Sequence, residues 1–192
     1  MKNIVIFASG EGTNAECICR YFESSKEVRV RAIICNRKEA GIYNRAKRLG
    51  IAIHYFNKSS LESPELLDLL ASLKTDLIVL AGFMCLVPKS YFNLYKHRIV
   101  NIHPALLPKF GGKGMYGDHV HEAVIKAQES ISGITIHVVD EQYDHGRALC
   151  KATCPVTSDD TVDTLAARIH KLEHRYYPTT IEQYLTELEA TR

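Results

Sequence analysis

Short apolar runs trade places with segments of helical period through the first two-thirds of this chain, and that alternation limits its folds to a small set. Lys2 to Ala8 is an apolar run of strand length, and Ala15, Ile18, Cys19 and Phe22 follow at i, i+3, i+4 and i+7, one face of a helix. Val28 to Cys35 alternates and then turns apolar, as a second strand does. A helical segment from Gly41 to Leu49 precedes Gly50, which sits where a glycine closes a helix C-terminus. Ile51 to Phe56 is a third strand-like run. Ser63-Pro64 then opens a Leu-rich helix (Leu66, Leu67, Leu69, Leu70, Leu73), with proline in the favoured first turn. Asp76 to Ala81 is a fourth run, apolar throughout, as expected of a strand covered on both faces. Strands separated by helices pair in parallel through right-handed crossovers.

The later segments read differently. A short helix near Pro88 to Tyr95 leads into Arg98-Ile99-Val100-Asn101-Ile102-His103, and the stretch from Leu107 to Asp118 holds four glycines and reads as a loop. His119 to Gln128 is helical. Gly133 to Val139 and Ala148 to Val156 are strands joined by Asp140 to Arg147 with no helix between them, so they form an antiparallel edge pair. Ser158, Asp159 and Asp160 are suited to cap a long final helix that turns Val162, Leu165, Ala166, Ile169 and Leu172 inward. The expected fold is α/β: an open, mostly parallel, twisted Rossmann-like sheet with helices on both faces and an antiparallel edge pair. Residues 1–192 read as one domain, with a phosphate-binding half at 1–100 and, at 101–192, a catalytic half that the resemblance described below also makes the folate-binding half.

Composition narrows the partners. The formal charge of +2 gives no argument for nucleic acid or an acidic membrane surface. No apolar stretch reaches the roughly 18 residues that span a bilayer. The N-terminal segment reads as a first strand, not a signal peptide. Cys17, Cys19, Cys35, Cys85, Cys150 and Cys154 have no metal-ligand spacing and read as reduced thiols of a cytoplasmic protein. His119, His121, His137 and His145 suggest metal at first sight. His119 and His121, two apart on a helix, diverge, and no metal is expected.

Open α/β sheets bind ligands beyond the carboxyl ends of their strands, and three motifs fall there: a glycine loop, Ala81-Gly82-Phe83-Met84 and Asn101-Ile102-His103. The loop Gly10-Glu11-Gly12-Thr13-Asn14-Ala15 satisfies G-x-G-x-x-A between strand and helix, so its amides and the helix dipole suit a phosphate. A dinucleotide site expects an acid at the end of the second strand. This chain has Asn36-Arg37-Lys38, with Glu39 arriving late, which disfavours NAD, leaves NADP open through Arg37, and fits a monophosphate best.

Asn101 and His103 flank one residue at a strand end, so an amide donor and an imidazole share a face, with Pro104 ending the strand. Asn donates to a developing oxyanion and His moves protons near neutral pH. Asp144, in an acidic loop with Asp140 and Glu141, is expected to raise the pKa of His103 if the two meet. Such a set serves acyl transfer without a covalent enzyme intermediate. Glu173-His174, judged by pattern alone, is a solvated pair on the last helix.

With these residues in view, the chain resembles the folate-dependent glycinamide ribonucleotide formyltransferases of purine synthesis. The matching segments are Ile4 to Asn14, Val79-Leu80-Ala81-Gly82-Phe83-Met84, Asn101 to Pro108, Gly133 to Val139 with Asp144, and Glu173-His174 before Tyr177-Pro178. The resemblance implies that 10-formyltetrahydrofolate, as co-substrate, donates its formyl group to the amine of glycinamide ribonucleotide through a tetrahedral intermediate. It implies a phosphate cradle at Gly10, Glu11, Gly12, Thr13 and Asn14, and Glu173 on the substrate's amine or ribose side. Phe83, Met84, Leu86, Val138, Val139, Asp140 and Glu141 would enclose the folate, and Asn101, His103 and Asp144 would run the transfer. Two departures stand out: Cys85 where the family often has arginine, and a longer glycine-rich stretch from Phe110 to Gly117, suited to a mobile lid with Lys113 reaching an anion or to a plain surface insertion. The rivals are a formyltetrahydrofolate hydrolase, expected to carry a further N-terminal domain, a methionyl-tRNA formyltransferase, expected to carry a further C-terminal domain and a basic face, and a non-catalytic nucleotide-binding Rossmann module.

Overall fold

The computed structural model describes residues 1–190, in two compact units: residues 1–100 with the chain end from Leu185 on, and Asn101–Tyr184. In the first unit, β1 (Lys2–Ala8), α1 (Thr13–Phe22), β2 (Val28–Cys35), α2 (Ile42–Leu49), β3 (Ile53–Tyr55), α3 (Pro64–Ser72), β4 (Leu77–Leu80) and α4 (Lys89–Leu94) alternate in chain order. β1 pairs in parallel with both β2 and β4, and β2 pairs in parallel with β3. From Ile4 to Ala8 every residue of β1 is buried, as a strand covered on both faces requires. Ala15, Ile18, Cys19 and Phe22 form the buried stripe of α1, as their spacing dictates. On α3 only Leu66 and Leu70 are fully buried.

The strand β5 (Ile99–His103) leads into the second unit, followed by α5 (Asp118–Lys126), β6 (Ile131–Val138), β7 (Ala148–Pro155) and α6 (Val162–Ala190). The strand order is β3-β2-β1-β4-β5-β6-β7, with β6 and β7 antiparallel at the edge. This is the open α/β sheet that the alternation implies.

Three local features depart from the sequence reading. A 3₁₀ turn at Ser59–Glu62 precedes α3, and the buried Tyr91 hydroxyl donates to the Leu61 carbonyl within it at 3.0 Å. The third strand is shorter than its apolar run. The final helix is capped by Thr161, not by residues 158–160: the Thr164 amide donates to Thr161 Oγ1 at 3.2 Å and the Thr161 amide to Thr164 Oγ1 at 2.9 Å. That reciprocal pair satisfies two backbone donors at once. Asp160 instead takes both guanidinium nitrogens of Arg168 at 2.8 and 3.0 Å, which holds its carboxyl well below the usual range.

Gly12 and Gly50 both adopt left-handed backbone, φ 75 and 66. A Cβ on Gly12 would overlap the Ile42 side chain, whereas nothing lies near one on Gly50. Gly50→Ala therefore costs only the conformational term, about 1 kcal/mol. Gly12→Ala adds the clash and costs at least about 2 kcal/mol, given the 1–3 typical of overpacking. Urea denaturation of both variants measures the difference, and equal losses would contradict the steric account.

Candidate functional site

In the first unit the loop after β1 is fastened to the loop after β4. The Ser9 amide donates to the Gly82 carbonyl at 3.1 Å, and Ser9 Oγ accepts from the Met84 amide at 2.8 Å. Below it, the rings of Phe7 and Phe83 meet edge to face at 5.3 Å. Gly12 is the N-cap of α1, in left-handed backbone, and no side chain caps it. A helix N-terminus without a side-chain cap presents backbone amides and the positive end of its dipole, which suit an anion. The Glu11 carboxylate is turned against Gly41, at the start of α2, and its carbonyl accepts from Arg45 Nε at 2.7 Å. Within α1, Glu16 is ion-paired to Arg20 at 2.8 Å and to Arg45, and the hydrogen bond from Arg20 leads in lowering its pKa. Met84 and Leu86, by contrast, are about half exposed, an unusual position for two large apolar side chains in succession on one loop.

The second unit brings Asn101, His103 and Asp144 together with a fourth residue, His137. His103 is buried at the end of β5. Its Nε2 lies 2.8 Å from the Phe110 carbonyl, which can only accept, so Nε2 carries the hydrogen and Nδ1 faces Asp144 Oδ2 at 3.6 Å. His137 is the opposite tautomer: Nδ1 donates to the Val138 carbonyl at 3.1 Å, leaving the Nε2 lone pair for the Asn101 amide at 3.2 Å. One Asn101 N–H is thereby fixed on His137. Asp144 accepts from the Gly112 amide at 2.9 Å and lies 3.6 Å from His137.

Burial and charge compete here. Desolvation pushes the His103 pKa down, Asp144 and the Phe110 carbonyl push it up, and burial prevails: the imidazole titrates below its ordinary value. The expectation that Asp144 would leave it raised is therefore corrected. Its charge acts in that direction but is outweighed. Burial also pushes Asp144 up, yet the His137 imidazole, the Gly112 amide and the His103 charge overcome it, and the carboxyl falls below its usual range. The two groups that hem His103 share a conformation: Phe110 and Asp144 both have left-handed backbone, φ 55 and 54. Non-glycine residues there are uncommon and concentrate at functional sites.

Behind His103 the turn at 104–107 is pinned by Thr135 of β6. Its hydroxyl donates to the Ala105 carbonyl at 2.8 Å and accepts from the Leu107 amide at 3.0 Å. Thr135 was not singled out from the sequence and His137 was weighed there only as a metal ligand, although their period-2 spacing among Gly133, Ile134 and Ile136 puts both on one face. Glu173 corrects the solvated-pair reading. It is buried, one step in an i+4 stripe of Leu165, Ile169, Glu173, Tyr177 and Ile181 on α6, while His174 is exposed. Burial, then the Glu173 charge, raises the Tyr177 hydroxyl well above its ordinary value. The Val138 side chain belongs to the core, Val139 and Asp140 are half-buried, and Glu141 is exposed. His119 and His145 sit at the surface beside Glu122 and Asp140, and His121 is buried. Among the described residues no group of three or more His, Cys, Asp or Glu is placed to hold a metal ion. No described helix is long and apolar enough to cross a membrane.

An open, mostly parallel α/β sheet with an antiparallel edge pair, carrying two buried imidazoles of opposite tautomer, defines the Rossmann-like class of the chain. The chain belongs to the formyl transferase family, whose model matches residues 2–181. It is 40% identical over 195 residues to a chloroplastic phosphoribosylglycinamide formyltransferase of Vigna unguiculata, covering 97% of this chain and 62% of that relative. The phosphoribosylglycinamide formyltransferase of Bacillus subtilis is 34% identical, with 96% of this chain and 95% of the relative covered. The chain thus spans under two-thirds of the chloroplastic relative and nearly all of the bacterial one. Among solved structures, the phosphoribosylglycinamide formyltransferase of Anaplasma phagocytophilum superposes with a TM-score of 0.88 at 32% identity, covering 97% of this chain and 88% of that one.

The opposed tautomers are directly observable. Two-bond proton–nitrogen correlation spectra at neutral pH are expected to show His103 protonated at Nε2 and His137 at Nδ1. A common tautomer for the two rings would contradict the hydrogen-bond assignment.

Proposed function

We propose that this chain transfers a formyl group from 10-formyltetrahydrofolate to the amine of glycinamide ribonucleotide; the names of its relatives give the group transferred and the phosphoribosylglycinamide acceptor for them. The observation that carries the reading is the cluster of the buried His103 and His137 with the half-buried Asn101 and Asp144, which has a donor and a base and no side-chain nucleophile. The substrate amine attacks the formyl carbon, and the carbonyl electrons move onto oxygen. The second N–H of Asn101, held in line by His137, stabilises that oxyanion. His103, neutral because burial outweighs Asp144, accepts the amine's proton on Nδ1, where it faces the carboxylate. Asp144 orients a water that relays the proton to the departing folate nitrogen as the carbon–nitrogen bond breaks.

The phosphate of the ribonucleotide is assigned to the amides of Gly10, Glu11, Gly12, Thr13 and Asn14, supported by the uncapped N-terminus of α1. Glu173, a buried acid in an otherwise apolar stripe, is assigned to the substrate's amine or ribose. The folate is assigned to Phe83, Met84 and Leu86, whose exposure supports an apolar contact, and to the backbone at Val138 with Val139, Asp140 and Glu141. The segment from Phe110 to Gly117 is latched to the cluster at Phe110 and Gly112 and is assigned as a lid, with the exposed Lys113 for an anion. Six free cysteines support a reducing, cytoplasmic setting.

Formyl transfer followed by folate absorbance tests this reading. Folate release that depends on the ribonucleotide is expected, with His103→Ala lowering kcat at least about a hundredfold, in line with general acid–base contributions. Release without ribonucleotide would mark a hydrolase, and no release at all would reduce the chain to a nucleotide-binding module.

A further inference from the structure

β7 is an edge strand, and a lysine on an edge is ordinarily a solvated charge that blocks pairing with another chain. Lys151 is placed otherwise. It stands directly opposite Thr135 in the antiparallel pair of β6 and β7, so the two side chains share a face. Both reach the same residue of the segment that follows β5. Thr135 Oγ1 accepts from the Leu107 amide at 3.0 Å, and Lys151 Nζ donates to the Leu107 carbonyl at 2.6 Å. The Leu106 side chain lies against β6 as well, where a Cβ on Gly133 would strike it. Leu107 is thus held at both of its backbone polar groups by two side chains from neighbouring strands.

Three residues further on, the chain delivers the Phe110 carbonyl to His103 Nε2 at 2.8 Å. A neutral imidazole carries one ring hydrogen, and two acceptors compete for it: that carbonyl and the Asp144 carboxylate, which faces Nδ1. The carboxylate is the stronger acceptor. At 3.6 Å, however, it lies beyond hydrogen-bond reach of Nδ1, so the carbonyl keeps the hydrogen on Nε2 by its position and not by its strength. A small displacement of Phe110 is enough to reverse that outcome.

We propose that Lys151 is a positioning residue: by holding the Leu107 carbonyl it fixes the path of residues 107–110, and so keeps the Phe110 carbonyl on His103 and the Nδ1 lone pair free. The consequence for catalysis rests on the formyl-transfer reading, in which that lone pair accepts the proton of the substrate amine. The structural claim stands apart from it. Sequence gives no hint of this role, because the bond spans 44 residues and an edge lysine reads as solvated.

The test is the two-bond proton–nitrogen spectrum of His103 in Lys151→Met, which keeps the reach of the side chain and removes the donor, and in Lys151→Arg, which restores one. Lys151 is exposed, and circular dichroism checks that both variants keep the fold. The unsubstituted chain and Lys151→Arg are expected to carry the hydrogen on Nε2 alone, and Lys151→Met to show both tautomers. In formyl transfer, Lys151→Met is expected to lower kcat at least about tenfold with KM for either substrate within about twofold, and Lys151→Arg to recover kcat. A hydrogen that stays on Nε2 in Lys151→Met would overturn the proposal, as would mixed tautomers with unchanged kcat. Mixed tautomers in both variants would trace to strand packing rather than to the lost donor, and would overturn it too. The spectrum needs no turnover: a chain that transfers no formyl group sinks the functional reading, and the tautomer in Lys151→Met still decides this one.

Discussion

Burial of His103 against the charge of Asp144 is the interaction on which the rest of the site depends. An imidazole in water would be partly protonated near neutrality, and one beside a carboxylate more so. Here desolvation prevails and lowers the pKa of the ring, while Asp144, whose carboxylate accepts from the Gly112 amide, faces its Nδ1. A base with its counter-ion already in place needs little reorganisation as charge develops, which is the general advantage of a preorganised polar site.

Keeping that balance requires a rigid frame, and the frame is made of backbone. The Phe110 carbonyl fixes the far side of the ring, and Phe110 and Asp144 tolerate a left-handed conformation to reach it. Thr135 ties the turn behind the ring at two points, and Lys151 Nζ adds a bond to the Leu107 carbonyl at 2.6 Å. In the first unit a different economy holds: the loop after β1 leaves its amides without a capping side chain, and Ser9 and Phe7 secure it from below.

The sheet was legible because parallel strands buried on both faces must be apolar runs and their crossovers must be amphipathic, two patterns visible in a linear chain. Asn101 and His103 were legible for the same reason, since residues two apart on a strand share a face. What periodicity could not supply was long-range identity. His137 as the partner of Asn101, the Phe110 carbonyl and Thr135 are contacts across 36, 7 and 30 residues of chain. Glu173 was misjudged because an acid beside a histidine on a helix is usually solvated, although its place four residues from both Ile169 and Tyr177 marked the buried stripe. The sign of the His103 shift was missed for a related reason: sequence shows the neighbouring charge but not the depth at which it acts.

The pH dependence of kcat/KM for formyl transfer, compared between the unsubstituted chain and Asp144→Asn, tests the central claim most directly. Asparagine also tolerates left-handed backbone, so the substitution removes charge and little else. A base that must be neutral gives an acid limb that falls through its pKa, here below the ordinary histidine value of about 6.5. Asp144 is the group that raises that pKa, so its loss is predicted to move the acid limb further down in pH while slowing transfer. An acid limb that stays in place or moves up would contradict the account.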